Sequence, residues 1–234
     1  MKDPKLQVAE DNLVFQVVTG STSYGVAVAT SDQDLRGAFV PPPKYILCNG
    51  PFREYDKEPI KYSSILKFTE MLVGGKPNFV ELLFGDPQFT LKQTVYFEEL
   101  LKYKNMLLTK TLINTGRRMS KGLCERAGEA QPQATDPLRQ EKQSMHGYRV
   151  ALTMLELLKT GVFRVYRPDE RELLLPIRLG HVPLDDVEKM VLEISDEIES
   201  LLPGSIFLDD ADEEFFMGLA QDSILAYWKN NEWL

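Results

Sequence analysis

The apolar residues of this chain change period partway along it, and that change restricts the fold more than any other feature. Up to about Phe84 they come in short runs rich in β-branched and aromatic residues. Leu13-Val-Phe-Gln-Val-Val18 ends at Gly20, and Asp34-Leu-Arg-Gly-Ala-Phe-Val40 is stopped by Pro41-Pro42-Pro43. Runs this short, bounded by glycine and proline, read as strands of a buried sheet. A third strand is expected around Glu58 to Tyr62. Ser63 or Ser64 then caps a helix through Leu72, closed by Gly74-Gly75. Beyond Gln88 apolar residues recur at three and four, through Val95–Leu101, Met106–Leu123 and Met145–Leu158. Further helices are expected over about Asp169–Leu179, Leu184–Leu202 and Asp210–Trp228. Ala127–Pro137, small and polar with two prolines, reads as a loop or linker. The expected class is α+β: a small mixed β-sheet domain over residues 1–90, followed by a helical domain over 91–234. No internal repeat is present.

Composition narrows the function classes. A chain of 234 residues, 43% apolar and 26% charged, can bury a full core. No apolar run approaches the roughly 20 residues that span a bilayer, and Met1–Lys5 leads into no signal core. Two cysteines in unrelated contexts, Cys48 and Cys124, are too few for a disulfide framework. A cytoplasmic protein without a membrane partner is expected. The net charge of −8 argues against a nucleic-acid partner until its distribution is considered. Leu101–Arg126 holds seven Lys or Arg and one acid, whereas from Asp185 onward there are fourteen acids and two bases. Phosphate binding depends on the local patch and not on the total, so the middle of the chain can hold phosphates while the tail stays away. Two solvated helix faces would give the same pattern.

The chemistry is concentrated in Thr19-Gly20-Ser21 and, ten residues later, Asp32-Gln33-Asp34. A strand ending in Gly-Ser and turning into a short helix offers backbone N–H groups and a hydroxyl to a phosphate chain, and a Cβ at the glycine would block the approach. Residues i and i+2 of a strand share a face, so Asp32 and Asp34 can share a pair of divalent ions. Two hard cations held by carboxylates about 4 Å apart suit in-line attack on phosphorus. A Gly-Ser turn or an Asp-x-Asp alone is commonplace. Their order and spacing, each after an apolar run, carry the signal.

Gly20-Ser-Thr-Ser-Tyr-Gly25, Ser31-Asp-Gln-Asp-Leu-Arg-Gly37 and Pro41-Pro42 resemble the signature of nucleotidyltransferases of the DNA polymerase β superfamily, in the branch associated with RNA repair. The resemblance continues through Tyr62-Ser63, Leu66, Phe68, Pro77 and Glu81-Leu-Leu-Phe84. It resumes at Lys142-x-x-x-His146-x-x-Arg149, Glu156–Gly161 and Arg171–Arg178, so that it covers about Val14 to Val191 with gaps. It implies a Mg²⁺-dependent enzyme with two ions (Mn²⁺ being an alternative) that moves NMP from an NTP such as ATP to an acceptor hydroxyl. It also implies a third carboxylate, at the position of Glu58; Asp56 and Glu54 are alternatives. Glu58 replaces the usual aspartate, and Lys76 the usual asparagine before Pro77.

Lys142, His146 and Arg149 fall at i, i+4 and i+7, on one helical face, where they are expected to neutralise a triphosphate and to face the Gly20–Ser21 turn across a cleft. A solvated basic edge is the competing reading. Tyr24 and Arg36 are placed to frame the nucleotide, with packing as an alternative for Tyr24. Glu81 is a candidate structural partner of Arg36 or Lys76. The acceptor implied by the resemblance is an RNA, tRNA-like 3′ end. The alternatives are a protein or small-molecule acceptor, as in toxin–antitoxin or antibiotic-modifying relatives, and a catalytically silent nucleotide-binding protein. Oligomeric state is not encoded in any of these features.

Overall fold

The structure is a computed structural model that describes residues 3–29, 31–47, 52–129 and 138–233. In chain order its elements are α1 (Pro4–Asp11), β1 (Leu13–Thr19), α2 (Ser21–Tyr24), β2 (Asp34–Phe39), α3 (Lys44–Leu47), β3 (Glu54–Lys57) and β4 (Ile60–Ser64). There follow α4 (Ile65–Val73), α5 (Pro77–Phe84), β5 (Thr90–Gln93), α6 (Val95–Lys102), α7 (Lys110–Glu129) and α8 (Arg139–Thr160). The last are α9 (Arg171–Arg178), α10 (Leu184–Leu201) and α11 (Glu213–Asn230). This is an α+β fold.

The chain divides into two compact units. One comprises residues 1–23, 27–107 and 211–234, the other 24–26 and 108–210. The break expected near residue 90 lies further on, because β5 and α6 pack on the sheet. The last helix also returns to that unit, a long-range association that no local periodicity encodes.

The sheet unit carries five strands in the order β3-β4-β2-β1-β5. β1 runs antiparallel to β2, with Thr19 opposite Asp34 and Val17 opposite Arg36. β2 runs parallel to β4, with Leu35 opposite Ile60 and Arg36 opposite Lys61. One side of the sheet is covered by α1, in a core of Ala9, Leu13, Phe39, Phe52, Tyr55 and Tyr62. Elsewhere the Phe15 ring stacks on Phe97 at 4.2 Å and meets Phe68 edge-on. Rings buried to this degree each contribute about 2 kcal/mol through apolar area removed from water. The helix expected after Ser63 or Ser64 forms as α4. Ser64 Oγ accepts from the Lys67 N–H at 3.3 Å, and Gly74 ends the helix. α11 packs on α4 and α6. Its Tyr227 Oη donates to Asn12 Oδ1 at 3.0 Å, and Trp228 Nε1 donates to the Pro41 carbonyl at 2.9 Å.

Three expectations shift. The third strand is β4, beginning at Ile60, so that Glu58 lies in the turn of a β3–β4 hairpin and not on a strand. Asp32 precedes β2, which starts at Asp34. The expected linker begins later, since α7 continues through Glu129; residues 130–137, with Cys48, lie outside the described residues.

The helical unit packs α8 against α7, α9 and α10. Its core gathers Val26, Cys124, Met145, Tyr148, Ala151, Leu174, Ile177, Val187 and Val191. Burial pushes the Cys124 thiol up to about 11, so it is an inert packing residue at neutral pH. Among the described residues no helix is long and apolar enough to cross a membrane.

Candidate active site

In the sheet unit β1 runs out at Thr19, and the chain reverses through Gly20 with φ +75° before Ser21 opens α2. A left-handed φ favours glycine. The neighbouring strand makes it mandatory: a Cβ on Gly20 would lie 2.6 Å from Asp34 Oδ2. The Asp34 carboxylate is therefore seated directly against the turn. Ser23 Oγ donates to the Gly20 carbonyl at 3.0 Å and ties the turn to the short helix.

Asp34 is half-buried, and burial raises its carboxyl above the usual carboxylate range. Glu58 and Asp32 add to the rise, while Arg36 and Lys61 oppose it. Among the described residues no hydrogen bond or ion pair engages the Asp34 side chain. Asp32, exposed just before the strand, is close enough for its charge to be felt at Asp34, although it does not share a strand face with it.

Glu58 arrives from the hairpin turn, beside the start of β2, because β4 runs parallel to β2 and the Leu35 N–H donates to the Pro59 carbonyl at 2.8 Å. Its carboxylate is 61% exposed and already engaged, 2.8 Å from Lys61 Nζ and 3.7 Å from an Arg36 Nη. Lys61 holds it below the usual range, with Arg36 acting in the same direction. The alternatives are committed elsewhere, Asp56 to Lys61 at 3.0 Å and Glu54 to Lys67. Of the three acids on this hairpin, Glu58 alone has its charge among those acting on Asp34. Lys61 was not singled out by sequence; its place directly before Tyr62-Ser63 was the available signal. Among the described residues no three His, Cys, Asp or Glu side chains form a ready-made metal cage.

In the helical unit the expected basic stripe is not a solvated edge. Lys142 is exposed on α8, but Arg149 is 0% exposed, with its guanidinium carbon 3.6 Å from the centre of the Tyr24 ring. His146 lies 5.8 Å from the same ring, centre to centre, and its Nδ1 is 3.2 Å from an Arg149 Nη. Burial, reinforced by the Arg149 charge, pushes His146 down to about 3. A neutral His146 supplies no cation to a triphosphate, so the stripe's charge reduces to Lys142 and Arg149. The Tyr24 ring packs against both side chains.

The segment carrying Tyr24 is held along its backbone. The Tyr24 carbonyl accepts from the Arg167 N–H at 3.2 Å, Gly25 from Arg171 Nη1 at 2.9 Å, and Val26 from Arg178 Nη1 at 3.0 Å. Gly25 has φ +82°, and a Cβ there would lie 3.0 Å from the Pro168 nitrogen. Arg171 and Arg178 stood inside a recognised motif, but nothing in their spacing revealed that they grip residues some 150 positions earlier. Glu81 and Lys76 lie in the sheet unit, Glu81 buried in α5 and Lys76 exposed at its start.

Arg149→Ala is expected to lower the unfolding free energy by about 2–4 kcal/mol, from the cavity and the lost contact with Tyr24. Lys142→Ala, at an exposed position, should leave it within about 0.5 kcal/mol. Denaturant melts of the unliganded variants check this, and equal midpoints would contradict the burial of Arg149.

Comparison with known proteins adds one finding. A search of the curated proteins returns no match. The family model described as the RNA repair pathway DNA polymerase beta family matches residues 5–206, most of the chain and both compact units. Its span includes the glycine turn, Asp32, Asp34 and Glu58, and the buried arginine beneath Tyr24, and on that match the chain belongs to the RNA repair pathway DNA polymerase beta family.

Proposed function

We propose that this nucleotidyltransferase-family protein is a Mg²⁺-dependent cytosolic enzyme that moves NMP from an NTP to the 3′ hydroxyl of an RNA. The observation that carries the reading is the Asp34 carboxylate, seated against the Gly20 turn and raised above its usual range by burial, with Arg36 and Lys61 offsetting only part of the rise and, among the described residues, no hydrogen bond or ion pair to a cation. A half-buried charge compensated only in part costs stability unless an external cation balances it. Oxygen donors alone suit a hard divalent ion. Asp32 and Asp34 would hold the metal; Glu58 would join them by exchanging Lys61 for it. Bound there, the metal supplies charge neutralisation at the phosphates and lowers the pKa of the attacking hydroxyl.

The remaining chemistry belongs to the chain. The Gly20–Ser21 turn receives the phosphates, and Arg36 lies beside the carboxylates to balance charge. The acceptor oxygen attacks the α-phosphorus, the bond to the β-phosphate oxygen breaks, and pyrophosphate leaves. The hydroxyl proton passes to Glu58. While Lys61 holds Glu58 below its usual range the carboxylate is a weak base, so release from Lys61 is part of activation.

Incubation with each labelled NTP, Mg²⁺ and total RNA tests the reading. Label is expected at RNA 3′ ends, abolished by chelation and in Asp32→Ala. Label on protein or on a small molecule would replace the acceptor. One observation favours a second reading, a silent nucleotide-binding protein: Glu58 is engaged twice, by Lys61 and Arg36. Nucleotide binding with no labelled product of any kind would select it.

A further inference from the structure

The structure separates the seven cations between Leu101 and Arg126 into two groups. Four are engaged: Lys102 with Glu99 at 3.6 Å, Lys104 with the Leu83 carbonyl at 3.0 Å, Lys110 with Asp209 at 2.9 Å, and Arg117 with Glu199 at 2.5 Å. Arg118, Lys121 and Arg126 make no hydrogen bond or ion pair among the described residues. Arg118 and Lys121, at i and i+3, are neighbours on α7, Arg126 at i+8 lies about 80° round the helix from Arg118, and Arg117 beside them is fixed further by Asn114 at 3.2 Å.

These three cations surround a dent in the helix. Gly122 has no side chain there. The Arg126 guanidinium closes over it, since a Cβ on Gly122 would sit 3.1 Å from Arg126 Nη1. A concavity lined by Arg117, Arg118, Lys121, Gly122 and Glu125 opens at this point. The chain has 35 acids against 27 Lys and Arg, yet among the described residues none of those acids pairs with these three cations. In a chain with surplus negative charge, neighbouring unpaired cations on one face are arranged for an anion from outside.

We propose that this face of α7 binds the phosphates of a single-stranded RNA, the acceptor of the transfer reaction proposed above, on which the word acceptor rests. Arg118 and Arg126 are about 12 Å apart along the helix axis, enough to meet two or three successive phosphates. An anionic membrane is a poorer fit, because an interfacial helix needs an apolar face and none of the exposed large hydrophobic residues lies on α7.

The test uses the full chain, without NTP, and a short fluorescent RNA blocked at its 3′ end, so that binding is read apart from any chemistry. Arg118→Glu combined with Lys121→Glu should weaken RNA binding at least tenfold. The slope of log affinity against log salt should become shallower by about 1.4, at about 0.7 per contact on a single strand. NTP affinity and the melting temperature should be unchanged, and the Arg118→Gln, Lys121→Gln pair should fall between. Unchanged RNA affinity and slope in the charge-reversed protein would overturn the assignment. So would a loss confined to phosphatidylserine vesicles with RNA binding intact, which would make the face a membrane contact. Absence of transfer activity with RNA binding still dependent on these residues would overturn the reaction alone and leave the RNA site standing.

Discussion

Asp34→Asn is expected to abolish nucleotidyl transfer and, at the same time, to raise the melting temperature of the unliganded protein. Loss of a charge that holds a metal at a phosphoryl-transfer site should cost several kcal/mol of transition-state stabilisation, at least a thousandfold in rate. The gain in stability follows from burial. The folded protein lifts the Asp34 carboxyl above its ordinary value, so the ionised form is disfavoured on folding at neutral pH. That penalty is fully present above the raised folded value and is relieved as pH falls through it toward the unfolded value near 3.8. The isosteric amide carries no charge and escapes the penalty at every pH. Differential scanning of wild type and Asp34→Asn at pH 7, with metal and nucleotide excluded, reads the effect. A melting temperature lowered by the substitution would sink the account of Asp34 as a charge penalised by burial, and undiminished transfer would sink its proposed metal role.

Gly20→Ala should produce the other large effect, through two causes that act at one atom. Alanine at φ +75° costs about 1–2 kcal/mol on backbone grounds. Its Cβ would also stand 2.6 Å from Asp34 Oδ2, so the carboxylate has to move. The turn and the Asp34 carboxylate proposed to hold the metal are therefore displaced together. NTP affinity should fall at least tenfold, and turnover should fall further than affinity because the acid acts in the reaction as well as in binding. Titration calorimetry with a non-hydrolysable NTP, paired with single-turnover rates, separates the two. Wild-type turnover in Gly20→Ala would show that the contact between turn and carboxylate has no part in function.

The parts of this molecule legible in its sequence are those fixed by local chemistry. β1 and β2 were readable because apolar runs stop at Gly20 and at the proline triplet. α4 was readable from Ser64 and Gly74, residues whose capping roles act within a few positions. The pairing of Gly20 with Asp34 was half legible. Spacing brought the turn and the acids into one hypothesis, but their contact depends on the register that sets Thr19 opposite Asp34. β3 was not legible, since Glu54-Tyr-Asp-Lys57 presents one buried side chain among three exposed ones. The burial of Arg149 was hidden for a related reason. A residue at i+7 from a lysine shares its helical face, but only the packed structure reveals that Tyr24 covers the far end of that face and leaves Lys142 in water. Glu58 was found through resemblance, and its attachment to Lys61 and Arg36 through geometry alone.

The sheet unit is assembled from segments on both sides of the helical unit, and this governs the order in which the two can acquire their structure during synthesis. The helical unit needs residues 24–26 and 108–210, and most of its contacts join neighbouring helices. Short sequence separations of this kind form quickly. The sheet unit, although most of it precedes the helical unit in the chain, lacks α11 until the segment after that unit has been synthesised. Until then Phe216, Ala220 and Ile224 have not been delivered, Asn12 has no Tyr227 to bond, and the Pro41 carbonyl lacks Trp228. The nascent chain therefore carries an unfinished sheet unit alongside a completed helical one, with α4 and α6 still lacking the α11 that packs on them.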